Sequence, residues 1–186
     1  MDNDVSAGST TTTIVGRLAL GITLLAFGLG HTRVVDGVTA ADAVTVAQYV
    51  GGVALFVAGL LALRERDTAS GTAFTVLGAL WFTWAVSAGG QVSANAAGVF
   101  LLLFALVALS LTFADGDTLG QGVYGLFAVS LLLLALGAFA DSEVLGKAGG
   151  WFAVVAGAVA WYAATAVRAQ WPTAFRRRAA GRGATA

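Results

Sequence analysis

The 186 residues carry ten basic and ten acidic side chains, so the formal charge at neutral pH is zero and nothing marks a nucleic acid as partner. Apolar residues make up 58% of the chain and charged ones 11%, where roughly a quarter is usual, which excludes a domain with a fully solvated surface. Cysteine is absent and His31 is the single imidazole, so disulfides, thiolate chemistry and a conventional metal centre are excluded and no cofactor is implied.

The chain opens on Met1-Asp2-Asn3-Asp4, acidic where a signal peptide is basic, and a Ser/Thr run follows from Ser9 to Thr13. Residues 1–12 are therefore expected to form a disordered cytoplasmic leader. Six apolar stretches come next, at 13–30, 43–63, 71–90, 94–114, 118–140 and 147–167. Each has about the 20 residues that cross a hydrocarbon core of ~30 Å. Arg17 sits one turn inside the first stretch, where a long side chain snorkels to the interface. The gaps are short and hold nearly all the other charges. The expected fold is an all-α integral membrane protein, six transmembrane helices in three consecutive hairpins over residues 13–169, followed by a basic tail at 170–186.

Basic residues set the expected orientation. Arg17, Arg64, Arg66, Arg168, Arg176, Arg177, Arg178 and Arg182 fall on one side, against Arg33 and Lys147 on the other. The positive-inside rule then places both termini in the cytoplasm, with Tyr162 and Trp171 as interfacial anchors on that side. The short basic tail reads first as the signal that retains the C-terminus inside, and second as a contact for anionic lipid.

The interior holds no Asp, Glu, Lys, Arg or His at mid-depth, although proton relays and retinal proteins place ionisable groups there. Paired carboxylates or a Ser/His constellation at helical spacing are also missing, which argues against an enzyme. Neutral polarity remains. Thr23, Thr72, Thr75 and Ser130 are candidates to donate hydrogen bonds to a small anion, set against the plainer role of bonding the preceding turn or a neighbouring helix. Glycines such as Gly51, Gly52, Gly59, Gly71, Gly78, Gly150 and Gly157 are expected chiefly to let helices approach closely, the alternative being that Gly21 and Gly78 let an odd-numbered helix bend beside a pore. Phe74, Trp81 and Phe82 are expected to pack or to face lipid. Weak self-similarity at Leu20-Gly21, Leu77-Gly78 and Ser130-Leu131 has a period of roughly 55 residues, as a threefold repeat gives.

Several of these residues carry a family resemblance. Gly51-Gly52 through Ala58-Gly59, Asp67-Thr68, and Gly-Thr-Ala-Phe-Thr-Val-Leu-Gly-Ala-Leu-Trp from Gly71 to Trp81 resemble the acetate uptake transporters, the succinate–acetate permease group. Ser130-Leu131, Gly150-Trp151, Gly157 and Tyr162 continue the likeness over most of the chain. The resemblance implies a six-helix protomer in the prokaryotic plasma membrane, assembled as a hexamer, each protomer having its own pore for acetate and similar small monocarboxylates. It also implies an apolar constriction with one residue from each odd-numbered helix, which by position are Leu20, Leu77 and Leu131. Where the family carries Asn-Pro-Ala-Pro-Leu-Gly-Leu, this chain reads Thr-Thr-Thr-Ile-Val-Gly-Arg from Thr11 to Arg17. Leu55 and Ala62 stand where a glutamine and a glutamate are expected. Two alternatives stay open: a non-transporting membrane scaffold that keeps the fold, and a transporter of another small solute.

Overall fold

The structure, a computed structural model, describes residues 3–90 and 92–169. Helix α1 spans Asn3–Thr32, α2 Ala43–Arg64, α3 Thr68–Ala88, α4 Ala94–Ala114, α5 Thr118–Ala140 and α6 Glu143–Ala169. All six are long and apolar enough to cross a membrane. The helix ends extend the apolar stretches by polar caps that hydropathy alone leaves out. Asp67 accepts a hydrogen bond from the Ser70 amide to open α3, and Ser93 and Asp117 do the same for α4 and α5.

The largest difference from expectation lies at the start. Helix α1 begins at Asn3, so the stretch read as an irregular leader is largely helical. Two side-chain hydrogen bonds hold its lower turns: Thr12 Oγ1 donates to Glu65 Oε1 at 2.7 Å and Thr13 Oγ1 to Asp67 Oδ2 at 3.1 Å. Thr12 and Thr13 thus grip the α2–α3 turn. The basic tail with Arg176, Arg177, Arg178 and Arg182, and the anchor Trp171, lie outside the described residues.

Within the three consecutive hairpins, the most extensive packing is not always between hairpin partners. α1 packs most extensively on α6, α2 on α3, and α5 on both α4 and α6, whereas α3 and α4 barely touch. Glycine explains the α1–α6 closure. A Cβ on Gly28 would lie 2.7 Å from the Gly150 carbonyl, and one on Gly150 would lie 2.9 Å from the Gly28 carbonyl. Gly21 and Gly157 repeat this relation one heptad away. Backbones this close gain van der Waals contact, which drives helix association where lipid is as apolar as the side chains. Outside the bundle, Leu103, Leu106, Leu136 and Trp161 are exposed, as lipid-facing residues are.

Helix α2 carries one irregularity that the apolar pattern hides. Residues Ala47–Ala54 form a π-helical segment containing Gly51 and Gly52. Such segments recur at functional sites. This one sets Gly51 against Thr23 of α1 and the root of Trp81 of α3, and Gly52 against Phe82.

Candidate functional site

The weak α3–α4 contact leaves a seam, and three cavities follow one another along it. At the end where α1 begins, a cavity of about 360 Å³ is lined by Arg17, Ser70, Thr72, Phe74, Leu111, Asp115 and Tyr124, among others. At the opposite end, Trp84, Ser87, Ala96, Phe100 and Leu101 help to line a cavity of about 300 Å³. Between them lies a space of only about 10 Å³, walled by Phe27, Leu80, Trp81, Trp84, Leu101, Phe104, Phe127 and Leu131. That volume is about one water, and its walls offer no set of polar partners to hold one.

The closure is aromatic, and each odd-numbered helix contributes at least one ring. Phe27 of α1 meets Trp81 of α3 edge-on at 5.1 Å, and Trp81 stacks on Phe127 of α5 at 5.5 Å. Trp84 adds edge contacts to Phe27 at 5.2 Å and to Trp81 at 6.0 Å. Separations of this kind are those that aromatic pairs favour. The absence of a side chain at Gly51 makes room for this arrangement, since a Cβ there would lie 3.0 Å from Trp81 Cγ. Trp81 is almost fully buried, and its indole N–H has no hydrogen-bond partner. A buried donor in that condition costs about 1–3 kcal/mol.

The residues expected to form the constriction are all buried in one core cluster. Leu131 lines the closed space beside the aromatic rings. Leu20 and Leu77 line none of the three cavities; Leu77 lies one helical turn from Trp81, on the side of the Arg17 cavity. The four candidate hydroxyls separate more sharply. Thr72 lines the Arg17 cavity. Thr23 donates to the Ala19 carbonyl at 2.8 Å and packs on Gly51. Ser130 donates to the Gly149 carbonyl at 2.8 Å, joining α5 to α6. Thr75 turns its hydroxyl to Gly59 of α2 and finds no partner. The last three belong to helix–helix contacts.

Two groups of residues at the site escaped sequence reasoning. The first is the ring trio Phe27, Trp81 and Phe127, which helical spacing presents only as apolar bulk. The second is Arg17, read as a snorkelling side chain. Its Nη2 lies 3.0 Å from Asp117 Oδ2, and the two side chains are 23% and 40% exposed. The other Asp117 oxygen accepts the Leu119 amide at 3.4 Å, while the Asp115 carboxylate accepts the Asp117 amide at 2.8 Å. The loop of aspartates thus caps α5 and presents one carboxylate to Arg17. A half-exposed pair of this kind contributes about 0–1 kcal/mol. Among the described residues no cluster of His, Asp or Glu is arranged to hold a metal.

At the other end, Glu143 pairs with Lys147 at 3.0 Å and with Arg33 at 3.4 Å. In the neighbouring loop, Thr39 donates to Asp42 through both its amide and its hydroxyl, which holds the Asp42 carboxyl below its ordinary range.

Comparison with known proteins agrees with this architecture. A model described as the GPR1/FUN34/yaaH family matches residues 10–177. The succinate-acetate/proton symporter SatP of Escherichia coli K12 is 29% identical over 161 residues, which cover 81% of this chain and 84% of the symporter. Accumulation of dyads protein 2 of Saccharomyces cerevisiae is 28% identical over 167 residues, which cover 82% of this chain. The chain spans 59% of that yeast protein's length, less than two thirds. A solved structure of the bacterial acetate channel SatP superposes with a TM-score of 0.77 at 26% identity, covering 86% of this chain and 92% of that one.

Proposed function

The chain belongs to the GPR1/FUN34/yaaH family, and on that premise we propose that it carries acetate and similar small monocarboxylates across a membrane, through the α3–α4 seam of each protomer. The observation that carries this reading is the row of two vestibules separated by one aromatic closure. A dry, narrow closure raises the cost of a bare inorganic ion, while a small acid with an apolar methyl end has less hydration to lose. Leu131 lies on the passage together with the aromatic trio, and Leu20 and Leu77 form the apolar wall next to it. Thr72 supplies a hydroxyl in the Arg17 vestibule. With no ionisable side chain at mid-depth, a coupled proton travels on the substrate.

In the same proposal, the Arg17 end faces the cytoplasm of a prokaryotic cell. Arg17, Arg64 and Arg66 lie there, whereas Arg33 and Lys147 at the opposite end are both drawn to Glu143. The exposed apolar flanks of α2 and α4 meet lipid or further copies in a homo-oligomer, with a hexamer as the working assembly.

The test is uptake of labelled acetate into proteoliposomes, with and without an imposed pH gradient. Saturable uptake competed by propionate or succinate supports the reading. Absence of uptake from folded, reconstituted protein overturns it in favour of a membrane scaffold.

A further inference from the structure

Arg17 falls within the stretch where the resemblance to the family breaks down, and it lines the cavity at this mouth. Its guanidinium already holds a carboxylate there. The terminal –CH2–COO⁻ of Asp117 is, chemically, a tethered acetate, and it meets Arg17 beside a cavity of about 360 Å³. The described contact joins one nitrogen to one oxygen, where a guanidinium offers five N–H donors and its strongest carboxylate pairing is a two-pronged fork.

We propose that Arg17 and Asp117 form an exchangeable carboxylate site. A free monocarboxylate in this mouth displaces Asp117 from the guanidinium and rests there on its way to or from the aromatic closure. Asp117 loses little by the exchange, because its second oxygen keeps the Leu119 amide and so keeps the cap of α5. Thr72 and Tyr124 line the same cavity and add hydroxyl-bearing residues to its wall. Asp115 lines the same mouth from the loop that carries Asp117, and its negative charge disfavours a second carboxylate on the ligand. The site therefore takes monocarboxylates in preference to dicarboxylates. This deepens the transport reading above and rests on it for the identity of the ligand.

The two partners predict opposite signs, which a purely structural ion pair does not. In detergent-solubilised full-length protein, acetate affinity is read by saturation-transfer NMR. Arg17→Gln is expected to weaken acetate binding about tenfold, as loss of a charge-assisted hydrogen bond implies. Asp117→Asn, which keeps a good capping side chain, is expected to tighten it several-fold by removing the internal competitor. Arg17→Lys keeps the charge without the fork and falls between. Succinate binds more weakly than acetate to the wild type, and Asp115→Asn narrows that difference. Equal weakening by Arg17→Gln and Asp117→Asn, or no change in either, overturns the proposal. Binding at equilibrium is independent of flux: a protein that binds acetate through Arg17 yet transports none refutes the transport reading alone. A protein that transports acetate with binding indifferent to both substitutions refutes the exchange site alone.

Discussion

Replacing Trp81 with alanine tests the aromatic closure directly. The indole makes three ring contacts, to Phe27, Trp84 and Phe127. At about 0.5–1.5 kcal/mol each, these come to roughly 1.5–4.5 kcal/mol. An open passage has already broken them, so their loss falls on the closed state alone. At about 1.4 kcal/mol per decade, the open population rises by roughly tenfold or more. The same truncation costs about 3–5 kcal/mol of folding stability by analogy with buried Trp-to-Ala changes, softened here because the unpartnered indole N–H goes with the ring. The assay is initial acetate influx into proteoliposomes, normalised to folded protein by size-exclusion and thermal unfolding, with chloride leak measured in parallel. Faster acetate influx together with a larger relative rise in chloride leak is expected. Unchanged or slower influx in folded Trp81→Ala protein refutes the view that this ring closes the passage.

Three further outcomes follow from the packing. Leu131→Ala, on the closed space, raises acetate influx more than Leu20→Ala or Leu77→Ala, and side-by-side influx measurements rank the three. Gly28→Val brings side-chain atoms against the Gly150 carbonyl and the Val154 amide, each 2.7 Å from a Cβ there, and destabilises by about 1–3 kcal/mol. Gly122→Ala, with nothing within 4 Å of its Cβ, holds or slightly raises the detergent melting temperature through its better helix propensity and serves as the control. Ser130→Ala removes the hydrogen bond to the Gly149 carbonyl and lowers stability by about 0.6–1.7 kcal/mol, while acetate influx per folded protein stays at the wild-type value.

The six helices were legible because length and hydropathy alone determine which segments span a bilayer. Their ends were less so, since the first turns are held by polar residues such as Asp67, Ser93 and Asp117, whose partners hydropathy does not reveal. The site was harder to read for a different reason. A helix apolar on every face carries no stripe to indicate which side meets its neighbours. Nothing in the spacing of Phe27, Trp81 and Phe127 says that three helices turn these rings toward one point. Ser130 and Thr23 look alike as lone hydroxyls, yet one bonds α6 and the other its own preceding turn. Arg17 was visible as an anomaly, but its partner lies 100 residues away, across a contact that local pattern does not encode.

The claim that most needs testing is selective passage of a small carboxylate through an apolar closure. Labelled acetate and labelled chloride influx, measured in the same wild-type proteoliposomes against protein-free vesicles, addresses it most directly. Acetate influx well above the protein-free rate is expected, with chloride influx indistinguishable from it. Equal stimulation of both ions, or of neither, contradicts that claim.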